Sequence, residues 1–185
     1  MKHLAVALSL LAAACGNDAV SSAADAQKAY LGLDASIDKA ITLGFAGFNA
    51  ATSANISPQT AAGTIIGSLT VTGQVDQGSS ANKGMRLLTS YADYSDGSVT
   101  YQTEAASPPA LTLSLKNIPT GTLDGTLVGN VAMSGGESGT LALSLTFRGT
   151  LQAGPGSTVQ RAPGSTHVTG TATSAYGTYA VDLTR

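Results

Sequence analysis

The sequence predicts a mainly β protein with one N-terminal helix (α+β). A curled antiparallel meander of seven or eight strands is packed on or around that helix. Three features predict this. Over residues 25–48, apolar side chains recur every three or four positions. From Thr64 the apolar period falls to two and stays there almost to the C-terminus. Clusters of glycine, proline, serine and aspartate interrupt this second pattern at hairpin-like intervals.

In the first stretch Tyr30, Leu33, Ile37, Ile41, Gly44, Phe45 and Phe48 fall on one helical face, since residues three and four apart are neighbours on a helix. Lys28, Ser36, Lys39 and Thr42 point elsewhere. Gly44 and Gly47 leave a flat patch that permits close approach. Asp34 lies near the edge of the apolar face, or restarts the helix after Gly32 as an N-cap. Residues 49–62, with Pro58, read as a connector.

The strands follow. Ile65, Leu69, Val71 and Val75 alternate with Thr64, Ser68, Thr70, Thr72 and Gln74. After a loop at 76–83, Met85, Leu87 and Tyr91 mark the next strand. Asp93–Tyr94–Ser95–Asp96–Gly97 forms a hairpin with Asp-Gly at its tip, and Val99, Tyr101 and Thr103 return. Ser107–Pro108–Pro109 breaks the pairing. Leu111, Leu113 and Leu115 form a short strand. Leu123, Leu127, Val131 and Met133 share one face of a long one, and Leu141, Leu143, Leu145, Phe147 and Leu151 alternate most cleanly. Residues 153–165, rich in glycine and proline, read as a long loop or irregular hairpin. Val168, Gly170 and Ala172, then Tyr179, Val181 and Leu183, close the chain. Such sheets bury one face and wet the other. Glycines at 67, 73, 125 and 129 fall on the apolar face, where they allow tight coiling or a closely seated helix.

Composition narrows the function classes. Only 11% of residues are charged, against a typical ~25%. The net charge is -2, and the basic residues form no stripe, which argues against nucleic acid as a partner. One cysteine excludes an internal disulfide.

That cysteine sits in a recognisable context. Met1–Lys2–His3 opens the chain with positive charge, and about eleven apolar residues follow, within the 7–15 of a signal-peptide core. Ala12, Ala13 and Ala14 end the run, and Cys15 comes next. Residues 1–15 resemble a bacterial lipoprotein signal, with Ala12 where the family most often has leucine. The resemblance implies a signal peptide at 1–14 and a diacylglyceryl thioether on Cys15, which becomes an N-acylated mature terminus. Two or more acyl chains anchor stably. Gly16 directly after the cysteine, in place of aspartate, implies outer-membrane attachment in a Gram-negative host. The alternative is an ordinary secretory signal cleaved near Ala14, leaving a free thiol. Residues 15–24 read as a tether, and residues 25–185 as one domain.

Several residues invite chemistry. Ser36–Ile37–Asp38–Lys39 matches S-x-x-K, and Ser95–Asp96–Gly97 is similar to S-D-N. Together they resemble penicillin-recognising serine enzymes. Gly97 replaces the asparagine, however, and no K-T-G occurs. Asp93, Ser95, Asp96 and Gly97 resemble part of a calcium loop, with Glu104 near the closing position; turn chemistry explains the same residues. His167 is the only histidine of the mature chain, so any Ser-His-Asp triad would have to use it. Asp34 and Asp38, one turn apart, could share a cation, although a solvated face is the expected arrangement. Tyr91, Tyr94, Tyr101, Tyr176 and Tyr179 could form a carbohydrate or peptide platform on one rim, with cross-strand packing the simpler account.

The expected function is a lipid-anchored cell-envelope protein with a non-catalytic structural or binding role. No catalytic, cofactor or metal residue is assigned. The expected partners are the membrane through Cys15 and a hydrophobic small molecule or envelope protein. The alternatives are an envelope hydrolase using His167 or a carboxylate pair, and a small outer-membrane β-barrel. The barrel is disfavoured by the 5% aromatic content and absence of Trp.

Overall fold

Ser22 starts the helix. Its Oγ accepts the Asp25 backbone N–H at 3.2 Å, and the Asp25 carboxylate accepts the Ser21 N–H and hydroxyl in return. This reciprocal cap satisfies N–H groups that have no intrahelical partner. The computed structural model describes residues 19–185, and in it helix α1 runs unbroken over Ala23–Ala50. Gly32 does not interrupt it, and Asp34 is not a second N-cap. The exposed stripe, Ala24, Lys28, Leu31, Ala35, Thr42, Ala46 and Asn49, keeps the helical period. Ser36, expected on that side, is buried. The tether expected at 15–24 is already fastened at its end. Val20 is buried, and its carbonyl accepts the Ser174 hydroxyl at 2.6 Å.

Ten strands follow in one antiparallel sheet: β1 Asn55–Ala62, β2 Ile66–Val75, β3 Lys83–Ser95, β4 Val99–Gln102, β5 Ala110–Lys116, β6 Thr122–Gly135, β7 Gly139–Ala153, β8 Val159–Arg161, β9 His167–Ser174 and β10 Gly177–Thr184. The path runs β1-β2-β3-β4-β6-β7-β9-β10. β4 and β5 divide one place between β3 and β6, interrupted at Ser107–Pro108–Pro109 as expected. β8 pairs with the end of β7.

The expected α+β class therefore holds, with two strands more than the alternation revealed. The first is β1, read from sequence as connector. It pairs only with β2, and Pro58 sits where its register shifts between Ile56 and Gln59. An edge bulge is where a residue without an N–H is tolerated. The second is β8, inside the stretch read as a long loop or irregular hairpin; its antiparallel pairing with β7 makes it the hairpin. Ile65 departs from the expected alternation and is 67% exposed. The register shifts between Ile66 and Ser68, and Gly67 there has φ +71. That bulge turns the preceding residues outward.

The sheet curls but does not close on itself. β1 and β10 each have one sheet neighbour. The helix lies closest to β1, β2, β8 and β10, so it fills the seam between the two edges. Its inner face meets the sheet's inner face. Tyr30, Leu33, Ile37 and Ile41 are buried with Met85, Leu87, Leu111, Leu127, Leu145 and Phe147. The helix glycines serve this contact. A Cβ on Gly44 would stand 2.9 Å from the Met85 sulfur, and one on Gly47 would stand 2.8 Å from the Ile56 Cβ.

Outward positions carry the polar half of each strand. On β6 and β7 these include Asp124, Thr126, Asn130, Ser144, Thr146 and Arg148, all exposed. A membrane-spanning barrel turns its apolar band outward; here the apolar faces point in. Among the described residues no helix is long and apolar enough to cross a membrane.

Candidate functional site

The two ends of the helix differ. At its N-terminal end lies a rim of turns: 63–65, 96–98, 135–138 and 175–176. Neighbouring turns are joined by backbone bonds from Ile65 to Ser95 and from Gly136 to Ser98. The incoming chain bridges Ala19 to Ser138 on this rim. At the C-terminal end, helix residues 42–49 and the loops 76–82, 117–121 and 154–158 surround a groove of about 500 Å³.

Phe45, Phe48, Ile118 and Val159 form the apolar lining of that groove, and Thr42, Asn49, Ser79, Ser80 and Thr158 its polar edge. Phe45 and Phe48 belong to the apolar face read from the sequence. In the fold they pass the end of the sheet and are only half buried. Lys83 completes the site. It occupies an inward register position on β3, in series with Met85 and Leu87, and is 5% exposed. Its ammonium lies 4.4 Å from the Phe48 ring centroid and donates to the Gly78 carbonyl. The sequence reading placed Lys83 at the end of a loop and assigned it nothing. The alternation Lys83–Met85–Leu87 was the signal that it points inward.

A second polar site lies on the flank of the helix. Asp34 and Asp38 share a cation, the Arg161 guanidinium from β8. Arg161 donates to Asp34 Oδ1 at 2.9 Å and Oδ2 at 3.0 Å, and to Asp38 Oδ1 at 3.0 Å and Oδ2 at 2.7 Å. It also reaches the Asp34 carbonyl, while the Tyr30 hydroxyl donates to Asp34 Oδ1 at 2.6 Å. The solvated face expected for this pair is thus wrong for Asp34, which is 7% exposed. Burial alone would raise the Asp34 carboxyl, but the hydrogen bonds and charge of Arg161 outweigh it and hold it below the usual range. Desolvation, with the Asp34 charge beside it, pushes the Tyr30 phenol up. With both carboxylates engaged by one guanidinium, the pair is a structural clamp.

The remaining candidates are spread through the fold. Ser36 exchanges a hydrogen bond with the Tyr91 hydroxyl at 2.9 Å inside the core. Lys39 bonds the Asp96 carboxylate at 2.6 Å and the Ala62 carbonyl at 3.1 Å. The two halves of the serine-enzyme pattern therefore meet through Lys39 and Asp96, as an ion pair that pins the 96–98 turn to the helix. Asp96 also accepts the Thr64 N–H at 2.6 Å and the Tyr94 hydroxyl. Desolvation works against the Asp96 charge, and these donors, Lys39 foremost, hold its carboxyl below the ordinary value. Ser95 Oγ donates to the Gly97 and Val99 carbonyls. The supposed calcium loop is thus a hairpin in which Ser95 bonds within the turn and Asp96 bonds the helix, the Thr64 N–H and Tyr94. Among the described residues no three His, Cys, Asp or Glu side chains gather as a metal site.

His167 Nε2 lies 2.8 Å from Asp182 Oδ1 across β9 and β10, and both side chains are more than half exposed. The pair stands on an open outer surface. Tyr91, Tyr94 and Tyr101 form one cluster, with ring centroids 5.4 and 6.4 Å apart. They are buried against the helix, where the Tyr101 hydroxyl donates to the Ala29 carbonyl. Tyr176 and Tyr179 lie on the β9–β10 hairpin, so the five tyrosines make no common platform. Cys15, like the signal peptide expected at 1–14, lies outside the described residues.

Comparison with protein-family models, with characterised proteins and with solved structures yields no match.

Proposed function

We propose that this chain is a lipid-anchored, non-catalytic binding module of the cell envelope. It is held through an acylated Cys15, on the outer membrane in a Gram-negative host, and offers the groove at the helix C-terminus to an apolar ligand. The end-to-end arrangement carries the reading. The described chain enters at the N-terminal rim, four positions after Cys15. Four residue steps reach at most ~14 Å. The groove lies against the last two turns of a helix of 28 residues, about 42 Å long at 1.5 Å per residue. An anchor at one end and an apolar groove at the other suit a module that presents its site away from the bilayer.

The packed interior bears on the mode of binding. A carrier that encloses its ligand needs an internal hollow of several hundred Å³. Here the helix side chains fill that space, so binding belongs to the groove at the mouth. The hydrolase alternative gains no support from the geometry. Arg161 occupies both helical carboxylates, and His167 faces open solvent with Asp182.

Two measurements test the proposal. Cys15→Ser should move the protein from the membrane to the soluble fraction and abolish incorporation of labelled palmitate; a variant that stays membrane-bound would refute the anchor. Dodecanol should bind the soluble Cys15→Ser chain and shift the Phe45, Phe48 and Ile118 resonances. Resonances that do not move at saturating dodecanol would refute the groove.

A further inference from the structure

We infer that the groove takes an anionic single-chain amphiphile, a carboxylate or phosphate head on an alkyl chain, with Lys83 as the residue that meets the head. The inference rests on the groove reading above and adds the charge of the ligand. Its basis is an imbalance. Four of the cations that contact the helix or its neighbouring turns are paired with carboxylates: Lys28 with Glu137, Lys39 with Asp96, Arg161 with Asp34 and Asp38, and Arg185 with Asp34. Lys83 is buried as deeply as Arg161, yet among the described residues it has no carboxylate within ion-pair distance. Its partners are one carbonyl, from Gly78, and the face of Phe48.

An ammonium has three donors, and a buried charge is costly unless it is paired. The carbonyl uses one donor and the ring attracts the charge without accepting in the manner of an anion. Lys83 lines the groove and is buried, with Ser79 and Ser80 among the other lining residues. An anionic head placed there would replace the missing carboxylate. The alkyl chain would then lie over Phe45, Phe48, Ile118 and Val159. The volume, about 500 Å³, falls within the ~300–1,000 Å³ of small-molecule pockets. The opening is away from the expected anchor, so the ligand would come from the aqueous side or from a second surface.

The test compares dodecanoate, dodecyl phosphate and uncharged dodecanol, each below its micellar concentration, on the full chain carrying Cys15→Ser. Titration calorimetry should show one or both anions binding at least tenfold tighter than dodecanol. Which anion wins decides between a carboxylate and a phosphate head. Lys83→Met should remove that preference, and Lys83→Arg should keep it. If the methionine variant does not fold, the wild-type side chain reports directly: anions, and not dodecanol, should shift the Lys83 Cε and Gly78 amide resonances. Equal affinity for all three probes, or an anion preference that survives Lys83→Met, overturns the inference while leaving the groove reading intact. Failure of dodecanol as well as the anions to bind removes both.

Discussion

Removing the Arg161 guanidinium while keeping its length, as in Arg161→Met, isolates the helix-flank clamp. Breaking a buried ion pair by deleting one partner costs about 3–5 kcal/mol, because the other charge is left buried. Two features of this site place the expected cost at the lower end. The Tyr30 hydroxyl still donates to Asp34 at 2.6 Å, and Arg185 remains at 3.5 Å. The Asp38 arm adds little, since that side chain is 38% exposed and such pairs contribute at most ~1 kcal/mol. A loss of about 3 kcal/mol at pH 7 follows. The pH dependence has a definite sign. In the native protein the Asp34 carboxyl titrates below its ordinary value of 3.8. Its contribution is therefore complete above that value and is lost as pH falls through the depressed one. In the variant, desolvation of the carboxyl is no longer outweighed by the guanidinium and should push it up, so protonation relieves its penalty as pH falls. The gap between variant and wild type should narrow from pH 7 to about pH 4. Urea unfolding followed by far-UV circular dichroism at both pH values measures it. A cost under about 1 kcal/mol at pH 7, of the size expected for an exposed pair, or the same cost at both pH values, would refute the clamp.

Two helix glycines should respond differently to alanine. Each substitution gains about 0.8–1 kcal/mol of helix propensity. At Gly44 the new methyl meets the flexible Met85 thioether, and at Gly47 it meets the β-branched stem of Ile56. Gly44→Ala should be close to neutral and Gly47→Ala should lose about 1–2 kcal/mol net, so equal denaturant midpoints would contradict this packing. Asp96→Asn removes the charge that joins Lys39, Tyr94 and the Thr64 N–H. It should cost about 1–2 kcal/mol and speed amide exchange at Thr64 more than at Leu145, which exchange measurements by NMR can compare. His167→Gln should change stability by less than about 0.5 kcal/mol, because an exposed pair contributes little; a loss above 1 kcal/mol would show that the His167–Asp182 contact matters to the fold.

The parts of the fold legible in the sequence are those where one physical pattern acts alone. Leu141 to Leu151 alternates cleanly because β7 is central and has a dry and a wet side. β1 offers one large buried residue, Ile56, and a proline. Its pairing comes from the neighbouring strand, so no local period marks it. β8 is three residues long between glycine- and proline-rich turns. Its importance lies in Arg161, whose partner Asp34 is 127 positions away. Long-range ion pairs leave no trace in local spacing, and Asp34 consequently looked like an ordinary helix-edge carboxylate. Two signals were present and local. Ser22-x-x-Asp25 is a capping pattern that sets the helix start, and the alternation at 83, 85 and 87 points Lys83 inward. The groove itself was not legible, because its lining is brought together from helix residues 42–49 and from segments at 78–83, 118 and 156–159 that lie far apart in sequence.

The seam between β1 and β10 bears on how the chain acquires its shape. Two unpaired strand edges are templates for pairing between molecules, and here a helix at the start of the chain covers them. In a polypeptide delivered N-terminus first, that helix is present before any strand. Each strand can then dock on a waiting surface, so the sheet winds about a mandrel. A chain deprived of the helix would expose both edges together with the Tyr91, Tyr94 and Tyr101 cluster, and its fate would be self-association. The segment that fills the seam of the curled sheet is therefore also what keeps neighbouring copies apart.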